Sequence, residues 1–258
     1  MENIQNEDYS GYGHYEVSER LELRLPKTEI KIERKSDDRL SYYRKNSENQ
    51  EVKKSIPNSS KNVQLELCPV LPLHLPAKKT NDLIFLRLAE SIFVEKKSTV
   101  NVVIQFPMEI GIFIINSSDD SKELFDCFTC EPMHSRFALY GTPEKGNLCM
   151  YSKVKLLEEE DSDPYIFAKM IVTLSNELEH GVFVRKLVFP ITEHTIYYAK
   201  DSSEVHIDDI KGIIKSVNNN EIIEINREEY TKKDKDWKLV SYSDSKDNKS
   251  FSMEKGFD

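Results

Sequence analysis

The chain has 258 residues and a formal net charge of -9, from 36 Lys and Arg against 45 Asp and Glu. That balance argues against non-specific nucleic-acid binding, whose affinity comes from neutralised phosphates. Hydrophobic residues make up 38% and charged residues 31%, enough for a packed core, and no apolar run approaches the ~18 residues that span a bilayer.

Residues 1–11 are polar and expected to be disordered. Strands are expected at 12–17, 20–25, 28–33 and 39–44. Leu21-Glu-Leu-Arg-Leu25 shows why: apolar and charged residues alternate, which puts one side of a strand in a core and the other in water. Asp37-Asp38 marks a hairpin turn, and the polar stretch 46–62 reads as a long loop or a ragged hairpin. Val63-Gln-Leu-Glu-Leu67 alternates again. Pro69, Pro72 and Pro76 then punctuate the chain. Proline cannot donate to a sheet ladder, so 70–75 reads as an edge strand or an extended crossover, open to strand addition. Further strands are expected at 83–88, 99–106 and 109–116, before a Ser- and Asp-rich linker at 117–121. The second half offers 124–129, 136–140, 148–156, 166–175, 182–189, 195–198, 205–217 and 221–226. Only 8 glycines are present, so turns must use other residues. Asn218-Asn-Asn220 suits a hairpin, since Asn tolerates left-handed backbone.

No run of ten residues holds a 3.6-residue period. Roughly seventeen short strands at close spacing indicate an all-β chain of β-sandwich type. Two packed sandwiches are expected, at 12–118 and 119–226, with one large sandwich as the alternative. Residues 227–258 are densely charged and sparsely apolar, and are expected to form a largely disordered C-terminal tail.

Chemistry is hard to find. Cys127-Phe-Thr-Cys130, with His134 and Cys149, supplies zinc-type ligands. The spacing is loose, however, and strand alternation would turn Cys127 and Cys130 to opposite faces. Buried, unliganded cysteines are the commoner case, so these four remain zinc candidates and no metal or other cofactor is expected. Gly141-Thr-Pro-Glu-Lys-Gly146 has the glycine spacing of a phosphate loop, but Asn147-Leu148 stands where Lys-Ser/Thr is required, so a tight turn is expected. His14-Tyr-Glu16 lacks the Pro-Cys-x-x-Cys that a zinc deaminase needs. The acidic run 158–161 lacks the spacing of a calcium loop. No Gly-x-Ser-x-Gly, His-Glu-x-x-His or Gly-x-Gly-x-x-Gly is present. No catalytic residue is assigned. Four cysteines in so long a chain do not make a disulfide framework. A cytoplasmic location without membrane insertion is therefore expected. The favoured reading is a non-catalytic protein-binding or regulatory module. The alternative is a small-ligand binder or enzyme with a cleft between the sandwiches. The candidate binding surface is Glu109, Arg136, Tyr140, Gly141 and Glu144.

Two stretches add a resemblance. Phe106-Pro-Met-Glu-Ile-Gly-Ile-Phe113 and Phe137-Ala-Leu-Tyr-Gly-Thr-Pro143, together with Tyr12-Gly-His-Tyr15 and the segment 69–76, resemble an archaeal family known only as domain of unknown function 432. The resemblance spans about residues 12–226. It implies no activity, catalytic residue or cofactor. Members are sometimes encoded beside small mechanosensitive channels, which suggests such a channel as a partner.

Overall fold

The computed structural model describes residues 9–57, 60–74, 82–116, 121–131, 137–157, 163–199, 204–231, 237–240 and 251–254. Among them are twenty strands and no helix, so the all-β expectation holds. The strands form several packed, sandwich-like sheets over one continuous hydrophobic core.

The first sheet is a four-stranded antiparallel meander of β2 (Arg20–Leu25), β3 (Thr28–Ser36), β4 (Arg39–Asn46) and β5 (Glu51–Pro57). Alternation sets its register: Leu23, Leu25, Ile30, Ile32, Leu40 and Tyr42 are buried while their neighbours face water. The polar stretch 46–62 is thus a hairpin, in which only Ile56 of β5 is buried. The second sheet runs β1 (Gly13–Val17), β6 (Val63–Val70), β9 (Glu109–Ile115) and β10 (Lys122–Phe128), all antiparallel. The third runs β11 (Phe137–Tyr140), β12 (Asn147–Val154), β7 (Leu83–Val94) and β14 (Val182–Pro190), with β12 and β7 parallel.

The fourth sheet has eight strands. Its path is β19 (Trp237–Val240), β15 (Ile196–Ala199), β16 (Val205–Ile207), β13 (Phe167–Asn176), β17 (Asp209–Val217), β18 (Asn220–Glu228) and β20 (Phe251–Glu254), and β8 (Thr99–Pro107) also pairs with β13. The hairpin between β17 and β18 turns on Asn218 (φ 50) and Asn219 (φ 66), the left-handed pair expected where glycine is scarce. The strand expected over 205–217 breaks at Asp208, a fully buried carboxylate. It accepts hydrogen bonds from the Thr195 amide (2.8 Å), Tyr197 hydroxyl (2.8 Å) and Tyr230 amide (3.2 Å).

One expectation needs correcting. The boundary between 118 and 119 is not a break in the sheets. β9 and β10 pair across it, while β7 and β8 pair with strands from the later half. A polar hairpin turn and a linker have the same composition, and pairing between distant strands leaves no local mark. Segment 70–75, expected as an edge strand or an extended crossover, leaves β6 at Val70, which among the described residues pairs with β9 alone. β1 stops at Gly13, opposite Leu67, which leaves Pro69 paired to Ile110 of β9 alone, yet Leu71 is completely buried; residues 75–81 lie outside the described ones.

Within the charged segment 227–258, expected to be largely disordered, the described residues include β19, paired with β15, and β20, paired with β18, while 232–236, 241–250 and 255–258 lie outside them. Few apolar residues suffice when they extend a sheet that already exists. Met253 is 1% exposed. Met253→Ala is therefore expected to cost about 2–5 kcal/mol in urea unfolding, the usual loss for a large-to-small change in a core. A variant unfolding at the wild-type midpoint would return the segment to a passive tail.

Candidate functional site

The sequence Pro107-Met-Glu-Ile-Gly111 opens β9 and places a carboxylate in the core. Glu109 is 1% exposed. It stands opposite Val70 of β6, while Gly111 stands opposite Cys127 of β10. Directly paired residues, and those two positions along, share one face of a sheet. Glu109 and Cys127 are therefore diagonal neighbours on that face. Beyond Val70 the chain leaves β6, with the Leu73 amide bonded to the Leu71 carbonyl at 2.7 Å, and brings His74 over the same spot.

One oxygen, Oε2 of Glu109, receives all three neighbours. The His74 amide donates to it at 3.2 Å, His74 Nδ1 stands 3.0 Å away and the Cys127 thiol donates at 3.1 Å. Burial, and then the Glu109 charge, push the Cys127 thiol far above its ordinary range. The surface around them is tight. A Cβ on Gly111 would stand 2.8 Å from both Phe113 and Val70, so that position has no room for a side chain.

Two more buried carboxylates hold the sheets together. Asp126, beside a bulge in β10, accepts from the Tyr42 hydroxyl (2.6 Å), Arg44 Nε (2.7 Å) and Lys54 Nζ (2.8 Å) of β4 and β5. Glu66 of β6 accepts from Lys122 Nζ (2.5 Å) and from the Tyr198 hydroxyl of β15 (2.7 Å).

The three zinc candidates among the described residues are not gathered by the fold. Cys127 joins Glu109, whereas Cys130 is buried with Thr28 and Asp163 as neighbours, and Cys149 lies on β12 of another sheet. His134 and Arg136 fall outside the described residues. His74 escaped the sequence reading, because nothing in Leu73-His-Leu75 marks it and only the chain's return over β9 gives it neighbours. Of the expected binding surface, Glu109 is buried in the second sheet, while Tyr140, Gly141 and Glu144 belong to the hairpin of the third. Open grooves of about 670 Å³ lie beside Arg24, Lys27 and Lys45, and beside Asn101 and Lys155. None of the candidate residues lines either groove.

The β11–β12 hairpin has its own character. Gly141 takes φ 112, and the Lys145 amide bonds the Thr142 carbonyl at 3.2 Å, which makes 141–146 a tight turn. A Cβ on Gly146 would stand 2.6 Å from that carbonyl. β11 is an edge strand, paired among the described residues with β12 alone. Its Phe137 and Leu139 face outward at 39% and 47% exposure, and Leu148, directly opposite Leu139, is 39% exposed.

Fold and site together define an all-β protein of packed sheets, pinned by buried carboxylates, with an apolar hairpin at one edge. The chain matches the family described as protein of unknown function (DUF432) over residues 11–254, and it belongs to that family. No curated protein and no solved structure matches it. The match contains every residue of the motifs at 106–113 and 137–143. Physically these supply Glu109 and Gly111 on one side, and the exposed hairpin on the other.

Proposed function

We propose that the protein is a non-catalytic binding module that docks a protein partner on the β11–β12 hairpin. One observation carries this reading. An edge strand, paired among the described residues with β12 alone, also presents Phe137, Leu139 and Leu148 to water. Unprotected apolar edges promote association, and folded proteins usually blunt them with charges or cover them. Here the edge suits a partner that adds an extended strand, using backbone hydrogen bonds for affinity and the apolar face for selectivity. The four cysteines are free thiols, which suits a reducing compartment such as the cytoplasm. No helix of the described residues is long and apolar enough to cross a membrane.

The test is capture from the source cell on the immobilised full chain. Wild-type protein is expected to retain one stoichiometric partner, and Leu139→Lys to lose it by roughly 30-fold in affinity, as for a hot-spot residue. Leu139 is exposed, so folding is expected to be unaffected. A mechanosensitive channel among the retained proteins would agree with the family resemblance. Equal capture by both chains, or none by either, would sink the proposal.

A further inference from the structure

We infer that His74, Glu109 and Cys127 form a binding site for one divalent transition-metal ion, with zinc the best match. This goes beyond partner docking and is independent of the hairpin.

The argument begins with donor chemistry. An imidazole nitrogen, a carboxylate oxygen and a sulfur converge from three separate segments: the exit of β6, the start of β9 and the end of β10. A calcium or magnesium site would be built from oxygens alone. A mixed nitrogen, oxygen and sulfur set selects zinc or a neighbouring transition ion.

Distance supports the assignment. The three donor atoms all lie within 4.8 Å of one another, and two of the separations are 3.0 and 3.1 Å. Zinc bonds of about 2.0–2.3 Å in a tetrahedron place donors about 3.3–3.6 Å apart. Two of the three separations therefore need to change by only a few tenths of an ångström, and the third, between His74 and Cys127, is bounded at 4.8 Å. The ion would take the central place now served by hydrogen bonds to Glu109 Oε2, and the Cys127 thiol would release its proton to solvent as the metal–sulfur bond forms.

Rigidity adds a further reason. Glu109 and Cys127 are fixed on paired strands around the tightly packed Gly111, so two of the donors are held in place before any ion arrives. His74 is the partly exposed donor, with its side chain 27% exposed, which gives an ion a way in. Three protein donors among the described residues correspond to zinc sites that complete their shell with water or one further group.

The experiment uses the full chain stripped with chelator, then titrated with zinc against a competing chelator. Wild-type protein is expected to bind one equivalent. Cobalt in place of zinc is expected to give a thiolate-to-metal charge-transfer absorption. His74→Ala and Cys127→Ser should each weaken binding by more than the roughly 10–100-fold that loss of an outer-sphere partner causes. Cys149→Ser should bind as wild type does. Zinc should raise the thermal midpoint of the wild-type chain and leave that of His74→Ala unchanged. His74 is partly exposed, so its replacement spares the core, and the zinc-free midpoint separates a folding defect from a lost ligand. The inference is overturned by the absence of saturable binding, by binding that survives both ligand variants, by a cobalt spectrum without the thiolate band, or by equal loss in Cys149→Ser.

Discussion

Asp126→Ala is expected to lower the unfolding free energy by about 3–5 kcal/mol, the usual cost of removing one partner from a buried ionic cluster. The carboxylate bridges two sheets. Tyr42, Arg44 and Lys54 from β4 and β5 all converge on it from one side. Arg44 also lies 4.5 Å from the Phe128 ring centre and Lys54 4.9 Å from that of Phe125, so each cation rests over one aromatic face. Without Asp126, the buried Tyr42 hydroxyl and the nearly buried guanidinium would lose their acceptor, and that desolvation is the source of the cost. Asp126→Asn keeps the volume but not the charge, and should fall between alanine and wild type. Urea unfolding of the three chains decides it; a loss under 1 kcal/mol for alanine would show that the cluster does not join the sheets.

The same residue gives a pH dependence of known sign. Burial alone would raise the Asp126 pKa, but hydrogen bonds from Arg44, Lys54 and Tyr42 outweigh it and hold the carboxyl below its ordinary range. Its folded pKa is thus lower than its unfolded value of about 4. The stabilisation is fully present above that unfolded value and is lost as pH falls through the folded one. Wild-type stability should therefore decline below about pH 4 more steeply than that of Asp126→Asn. Parallel curves would remove Asp126 from the acid response. Cys127 follows Asp126 and points to the other face of β10, toward Glu109. Loss of the anchor should therefore also weaken zinc binding.

Much of this fold was legible because alternation is local. Leu21-Glu-Leu-Arg-Leu25 and Val63-Gln-Leu-Glu-Leu67 reveal their strands within five residues, and β2 spans the six residues expected of it. Asn218 and Asn219 were legible because scarce glycine left Asn as the residue suited to a left-handed turn. What alternation cannot carry is which strands pair. β7 lies between β12 and β14, and β8 pairs with β13, all more than fifty residues apart or on the far side of an apparent linker. The two strands of the charged tail were not legible for a related reason. Trp237 and Met253 look too isolated to build a core, but they only complete edges that β15 and β18 already offer. The site shows the same division. Cys127 and Glu109 were each visible as residue types, yet their meeting depends on sheet register, and His74 has no motif at all. Conversely, the Cys-x-x-Cys spacing suggested a pair that the strand geometry separates.

Asn176→Asp is expected to destabilise the chain by at least 3 kcal/mol, and more than Asn176→Ala does, although it alters a single terminal group. Asn176 ends β13 and is 2% exposed. Its Nδ2 lies 3.1 Å from the Val94 carbonyl, 3.0 Å from that of Glu95 and 2.9 Å from that of His180, while Oδ1 accepts the Leu178 amide at 2.9 Å. One amide thereby fastens the end of β7 and the turn into β14 to the fourth sheet. Alanine would leave these backbone groups unsatisfied, at about 1–3 kcal/mol for a buried donor or acceptor. Aspartate does worse. It accepts and cannot donate when ionised, so a buried negative charge would face three carbonyl oxygens. The carboxyl could escape only by taking up a proton. The aspartate variant should therefore regain stability as pH falls toward 5, while the alanine variant should not. Unfolding of both chains at pH 7 and pH 5 measures this, and an aspartate variant as stable as wild type at pH 7 would show that the amide is not what ties these sheets together.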